Sequence, residues 1–241
     1  MAKLDLSAVT EIEADVTELV TSTPPNLSLA PQSYSPGISG DVTSDDIKVP
    51  RINIVQKMSD ALLEAGFAAG EVVYAKEVRL LPLGVAGKVT FLHLQKQFQQ
   101  KLPYGSDTMP VVVNTEAEVL ERGGSLDYDG ANPYQPIAHL TCLVEAPDKL
   151  TDEQEAFFPF EFDGKFYALA KWTVASTAYK DVAVPLLTAA KFFLKNGLHS
   201  ISWSLSVRKM TKGSNSWYAP KIVQAGKNSP EFMEFVSSFL S

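Results

Sequence analysis

One cysteine in 241 residues excludes an internal disulfide and any multi-cysteine metal site. Cys142 stands in the apolar run "IAHLTCLVEA", which reads as a buried, inert thiol rather than a nucleophile. Histidine is nearly as scarce: His93, His139 and His199 fall at no metal-ligand spacing, and neither HExxH nor CxxC occurs. The G-x-S-x-G elbow, the Walker GxxxxGK[ST] loop and GxGxxG are absent. Gly87-Lys88 and Gly226-Lys227 lack the upstream glycine that a phosphate loop needs. No apolar run approaches the ~18 residues of a membrane span, and the N-terminus has acids from Asp5 onward but no apolar h-region, unlike a secretory signal. Asp127 and Asp129 in "SLDYDGANPY" read as an Asx-rich turn rather than a cation site. Asp152, Glu153 and Glu155 read as a solvated loop or helix start. Together these absences lead to the expectation of a cytoplasmic, non-catalytic protein without cofactor, metal or membrane contact.

Charge is present but unevenly placed. The net charge is −7. Residues 1–47 hold Asp5, Glu11, Glu13, Asp15, Glu18, Asp41, Asp45 and Asp46 against Lys3 alone, so they account for all of it. Residues 164–228 carry ten lysines and arginines against Asp181, together with all three tryptophans. Such polarity points to a polyanionic partner for the basic half.

The acidic head reads as a disordered tail over 1–47, because its Pro-, Ser- and Thr-rich stretch lacks hydrophobic periodicity and cannot offset chain entropy. Within it, Val9, Ile12, Val16 and Val20 recur at helical spacing behind Ser7, a stripe able to dock on a partner or on the protein itself. Order is expected from "DIKVPRINIVQ" onward, as one domain over 48–241. Residues 71–83 and 88–99 read as a strand pair around Gly84 to Gly87, 102–136 as a loop with a short helix in "NTEAEVLERGG", and 137–145 as a strand. Asp163-Gly164 between alternating aromatic flanks reads as a hairpin turn. "STAYKDVAVPLLTAAKFFLKNG" reads as a helix capped by Ser176 or Thr177, stopped by Asn196-Gly197 and interrupted or begun at Pro185. A strand pair at 200–210 and 216–224 follows, then a helix with Ser229 as N-cap and Pro230 at N1. Several strands, one helix, then two strands match the order of a mostly-β (α+β), OB-like Greek-key barrel with peripheral helices, whose strand 4–5 loop would be residues 209–216.

Periodicity sorts the candidate contact residues. Trp203, Trp172 and Phe166 fall on apolar faces and read as core. Lys165, Tyr167, Lys171 and Thr173 share the opposite, outer face of their strand. Ser204, Ser206 and Arg208 share an outer face of theirs, as do Gln95, Gln97 and Gln99. Lys209 and Lys212 lie in the basic loop. Trp217 and Tyr218 are adjacent, so they point oppositely and one is accessible; Lys221 follows in the same strand. Cationic groups with interleaved rings are what single-stranded nucleic acid requires, phosphates pairing with the charges and bases stacking on the rings.

"DIKVPRINIVQ", "FYALAKWTVAST" and "ISWSLSVRKMTKGSNSWYAPKIV" before a short capped helix resemble phage-encoded OB-fold single-stranded DNA-binding proteins of replication and recombination modules, over roughly residues 45–235 by order of elements. The resemblance implies sequence-tolerant coating of single-stranded DNA in the host cytoplasm. It places Lys165, Tyr167, Lys171, Arg208, Lys209, Lys212 and Trp217 at binding positions, and replication or recombination proteins would be met through the tail or the C-terminal helix. Many such proteins end in an acidic tail; this chain ends "FVSSFLS" and carries its acids at the other end. The rival readings are a protein-interaction or assembly factor without nucleic-acid role and, behind it, a nuclease.

Overall fold

The computed structural model describes residues 48–103, 106–127 and 129–240, so the acidic tail and its apolar stripe lie outside the described residues. The first ordered strands, β1 (Ile52–Ile54), β2 (Val72–Tyr74) and β3 (Val78–Leu81), pair antiparallel in that order, with the short helix α1 (Asp60–Glu64) between β1 and β2. The strand pair expected across Gly84 to Gly87 does not form. The chain doubles back inside 71–83 instead, at a turn where Ala75 and Lys76 adopt φ of 56° and 66°. Left-handed backbone is the habit of Gly, Asn and Asp, so an Ala-Lys turn carries no compositional mark.

The remaining strands are β4 (Gly87–Gln100), β5 (Val112–Val113), β6 (Tyr134–Glu145), β7 (Phe160–Phe162), β8 (Lys165–Ala175), β9 (Ile201–Lys212) and β10 (Asn215–Lys227). They form one antiparallel sheet in the order β10-β9-β4-β6-β8-β7, with β5 added on β4. Among the described residues no sheet closes on itself. The fold is mostly β with few helices. The long excursion between β4 and β6 holds α2 (Glu116–Glu121), capped by Thr115, whose side chain accepts from the Glu118 amide at 3.2 Å. α3 (Asp152–Glu155) follows β6 behind a capping box made by Thr151 and Gln154.

Alternation along the strands buries two faces. On one, Phe91, Leu140, Cys142, Ala170, Trp172, Trp203 and Leu205 form the main core with Val182 and Leu186 of the following helix. Burial pushes the Cys142 thiol up to about 12, which leaves it inert. On the other, Leu92, Leu143, Tyr167 and Leu169 are roofed by Phe232 and Val236 of the C-terminal helix α6 (Pro230–Ser237) and by Phe239 in the turn that follows it. Ser229 caps α6 as expected, accepting from the Phe232 amide at 3.2 Å.

That roof corrects the reading of Tyr167. It does lie opposite Trp172, but it is only 4% exposed, its ring 5.6 Å from that of Phe232. Burial first, then the charges of Glu145 and Asp163, push its phenol up to about 12. Strand alternation shows which side a residue faces, not what covers that side. Phe166 errs the other way: read as core, it is 51% exposed. The Asp163-Gly164 turn forms as read, with φ of 50° and 70°.

The helix after β8 runs as α4 (Ser176–Ala178), a π-helical turn (Tyr179–Ala183) and α5 (Val184–Phe192). Pro185 explains the widened turn. It cannot donate to the carbonyl of Asp181 and its ring would strike that carbonyl, so the backbone dilates instead of breaking. Neither Ser176 nor Thr177 caps this helix; the Ser176 hydroxyl donates to Gln135 Oε1 at 2.8 Å.

Candidate nucleic-acid interface

The β9–β10 hairpin is longer than the sequence reading allowed. Pairing continues to Lys212 opposite Asn215, so the expected loop at 209–216 shrinks to Gly213 and Ser214. Gly213, at φ 60°, takes the left-handed first position that such a two-residue turn demands. Lys209 and Lys212 therefore sit on strand, exposed, on opposite faces.

Register sorts the other candidates. Ser206 pairs with Lys221, Arg208 with Ala219, Met210 with Trp217 and Lys212 with Asn215, so Arg208, Lys212, Trp217 and Lys221 share one face with the serines. Lys209 pairs with Tyr218 on the other face. Trp217 is half-buried and makes no ring contact among the described residues. Tyr218 packs partly against the core, and a Cβ on Gly70 would come within 2.7 Å of its ring, so its aromatic face is engaged internally. Trp217 is thus the ring left for an outside partner. Arg208 is half-engaged too: its guanidinium donates to Asp181 at 2.8 Å, tying the hairpin to the π-helical turn.

The β8 candidates separate from the hairpin. The Lys165 ammonium is paired with Glu145, and Tyr167 is buried. Lys171 is exposed and lies in a patch absent from the sequence reading. Its amide donates to Pro50 O at 2.9 Å, which brings Arg51 alongside it. Across the sheet Lys171 pairs with Thr141 and Thr173 with His139, whose Nδ1 is 3.0 Å from the Thr173 hydroxyl. Partial burial and then the charges of Arg51 and Lys171 lower the His139 imidazole below its usual range, which keeps it neutral near pH 7. The glutamines of β4 are partly spent on holding the β4–β6 excursion: Gln97 donates to Asn114 at 2.8 Å and Gln100 to Asn132 at 2.6 Å.

Residues 50–57 join the two groups. At one end lies the Pro50–Lys171 bond. At the other, Gln56 brackets one residue of β10: its Nε2 donates to Tyr218 O at 2.8 Å and its Oε1 accepts from Tyr218 N at 2.9 Å. Lys57 Nζ then donates to Ser216 at 2.8 Å. A stretch of this length spans about 20 Å if extended, with Arg51 and Lys171 at one end and Lys57, Lys209 and Lys212 at the other. Arg51, Gln56, Lys57 and His139 lie outside the basic stretch 164–228, and the sequence alone does not bring them to it. The usable signal was the cations flanking the apolar run Ile52–Val55.

The described residues contain no group of His, Cys, Asp or Glu placed to hold a metal ion, and no helix long and apolar enough to cross a membrane. Among the described residues the arrangement offers exposed cations without ion-pair partners, an indole with no ring contact and small hydroxyls. Compared with family models, curated proteins and solved structures, the chain matches none of the three.

Proposed function

We propose that this protein binds single-stranded DNA without catalysis and with little regard to sequence, in the replication or recombination of phage DNA within the host cytoplasm. The observation that carries the reading is the β9–β10 hairpin, whose residues include no acid and whose one face sets Trp217 among Lys212, Lys221 and Arg208. A ring flanked by cations serves stacking and phosphate pairing at once. The order of elements fits an OB-like barrel: β4, β6 and β8 as the first three strands, the π-interrupted helix as the intervening helix, and β9–β10 as strands four and five, with β9 returning to β4. In this reading residues 50–56 occupy the seam between β8 and β10 that strand pairing leaves open.

A gel shift with labelled single-stranded, double-stranded and RNA oligonucleotides tests it, with magnesium added to a parallel set. Retarded single strands left intact with magnesium support a binder. Cleavage would make it a nuclease, and no shift would favour a protein-interaction factor. Exchanging Lys209 and Lys212 together for alanine should weaken binding about 25-fold at 0.1 M salt, and lower the log–log salt slope by about 1.4, because each phosphate contact on a single strand contributes ~0.7. The loss should be equal for all sequences, since phosphate contacts carry no base information. A loss confined to particular sequences would place these lysines on base edges instead.

A further inference from the structure

α5 ends in two rings that nothing among the described residues covers. Phe192 is 70% exposed and Phe193 75%, with Val184 and Leu187 partly exposed upstream on the same helix. Beside Phe193 opens a cleft of about 280 Å³, whose lining includes Leu194, Lys195, Ser200, Lys227 and Met233. The cations here are unopposed within their own segment: between Asp181 and Glu231 the chain contains no acidic residue, while Lys191, Lys195 and Lys227 border the rings and the cleft. Glu231 and Glu234 flank Met233 on α6, but Lys191, Lys195 and Lys227 are the charges beside the rings, and two adjacent exposed phenylalanines bordered by lysines call for an apolar, acidic partner.

We infer that this surface is the docking site for residues 7–20 of the same chain. That segment pairs an apolar stripe, Val9, Ile12, Val16 and Val20, with Glu11, Glu13, Asp15 and Glu18. It matches the patch in both respects, rings against the stripe and lysines against the acids. Reach is no obstacle. The 27 residues between Val20 and Lys48 have a contour of about 90 Å, against a radius of gyration of about 16 Å for a domain of this size. Tethering holds the segment at millimolar effective concentration, so a weak contact suffices. The docked segment would leave the proposed DNA contacts open. Ile201 and Lys227, at the cleft, are the base of the β9–β10 hairpin, and its turn lies about 35 Å away along the strands.

The exchange measurement needs no nucleic acid and is independent of the DNA-binding reading; one oligonucleotide titration of the phenylalanine variant accompanies it. Amide exchange is followed by mass spectrometry in the full chain, in Phe192→Ser/Phe193→Ser and in Lys191→Glu/Lys195→Glu. Docking predicts that residues 7–20 exchange at least about tenfold more slowly in the wild type than in either variant, with protection unchanged on dilution of the protein. The replaced side chains are exposed, and exchange across β4, β6 and β8 reports whether each variant stays folded. Free exchange of residues 7–20 in the wild type would overturn the inference, as would protection that survives both variants. Protection that disappears on dilution would assign the surface to the segment of a second copy and overturn the same-chain claim. If residues 7–20 exchange freely and the phenylalanine variant loses oligonucleotide binding, the rings are a stacking platform for bases and the inference is wrong.

Discussion

Replacing Trp203 by alanine is expected to lower the unfolding free energy by about 3 kcal/mol, the low end of the range for deleting a large buried aromatic. The indole is 5% exposed and stands edge-on to Phe91 at 6.5 Å within the main core. The low end applies because Trp203 Nε1 is buried without a hydrogen-bond partner among the described residues. The wild type already bears the cost of that orphan donor, and truncation relieves it. Trp203→Phe should therefore be far milder than Trp203→Ala, keeping most of the packing and discarding the donor. Tyr167→Ala should destabilise by a similar ~3 kcal/mol, because α6 roofs it. Chemical denaturation monitored by circular dichroism distinguishes the cases. Unchanged stability in Tyr167→Ala would mean that α6 does not rest on the sheet, and a Trp203→Phe as damaging as Trp203→Ala would mean that the indole nitrogen has a partner.

The second large effect is that of salt on DNA affinity. Arg51, Lys57, Lys171, Lys209, Lys212 and Lys221 have no salt bridge among the described residues and flank the proposed path. Six phosphate contacts to a single strand give a log–log slope of about −4, hence a loss of about 300-fold between 50 and 200 mM salt. Arg208 and Lys165 are left out of the count, because Asp181 and Glu145 hold them. Fluorescence anisotropy of a labelled oligonucleotide across that range reads the slope directly. An affinity indifferent to salt would reject the cationic interface. A slope near −1 would confine contact to the hairpin turn and exclude the Arg51–Lys171 patch.

What could be read from residues alone was what local chemistry dictates. Asp163-Gly164, Ser229-Pro230 and the alternation of Ile201, Trp203, Leu205 and Val207 each specify their conformation within a few residues, and each is found where expected. Features set by distant parts of the chain were not legible. Tyr167 is buried by a helix more than sixty residues later. The turn at Ala75-Lys76 has no favourable local composition. The π-helical turn before Pro185 needs the helix to continue past the proline, which packing of Val182 and Leu186 enforces and propensity alone opposes. The candidate site was half legible for the same reason. Its hairpin is local, whereas Arg51 and Lys57 reach it only through residues that pair across most of the domain.

The bracket of Gln56 on Tyr218 has a consequence for how the chain assembles. Its partners are 162 residues apart in sequence, so it closes one of the longest loops in the molecule and gains nothing until β9 and β10 exist. During synthesis Gln56 leaves the ribosome long before Tyr218, and must wait unpaired while nearly the whole sheet is made. The bracket is therefore expected to form late, after the folding barrier. Substituting Gln56 should accelerate unfolding while leaving the folding rate nearly unchanged, so that one amide acts as a latch on the lifetime of the folded state rather than as a guide to reaching it.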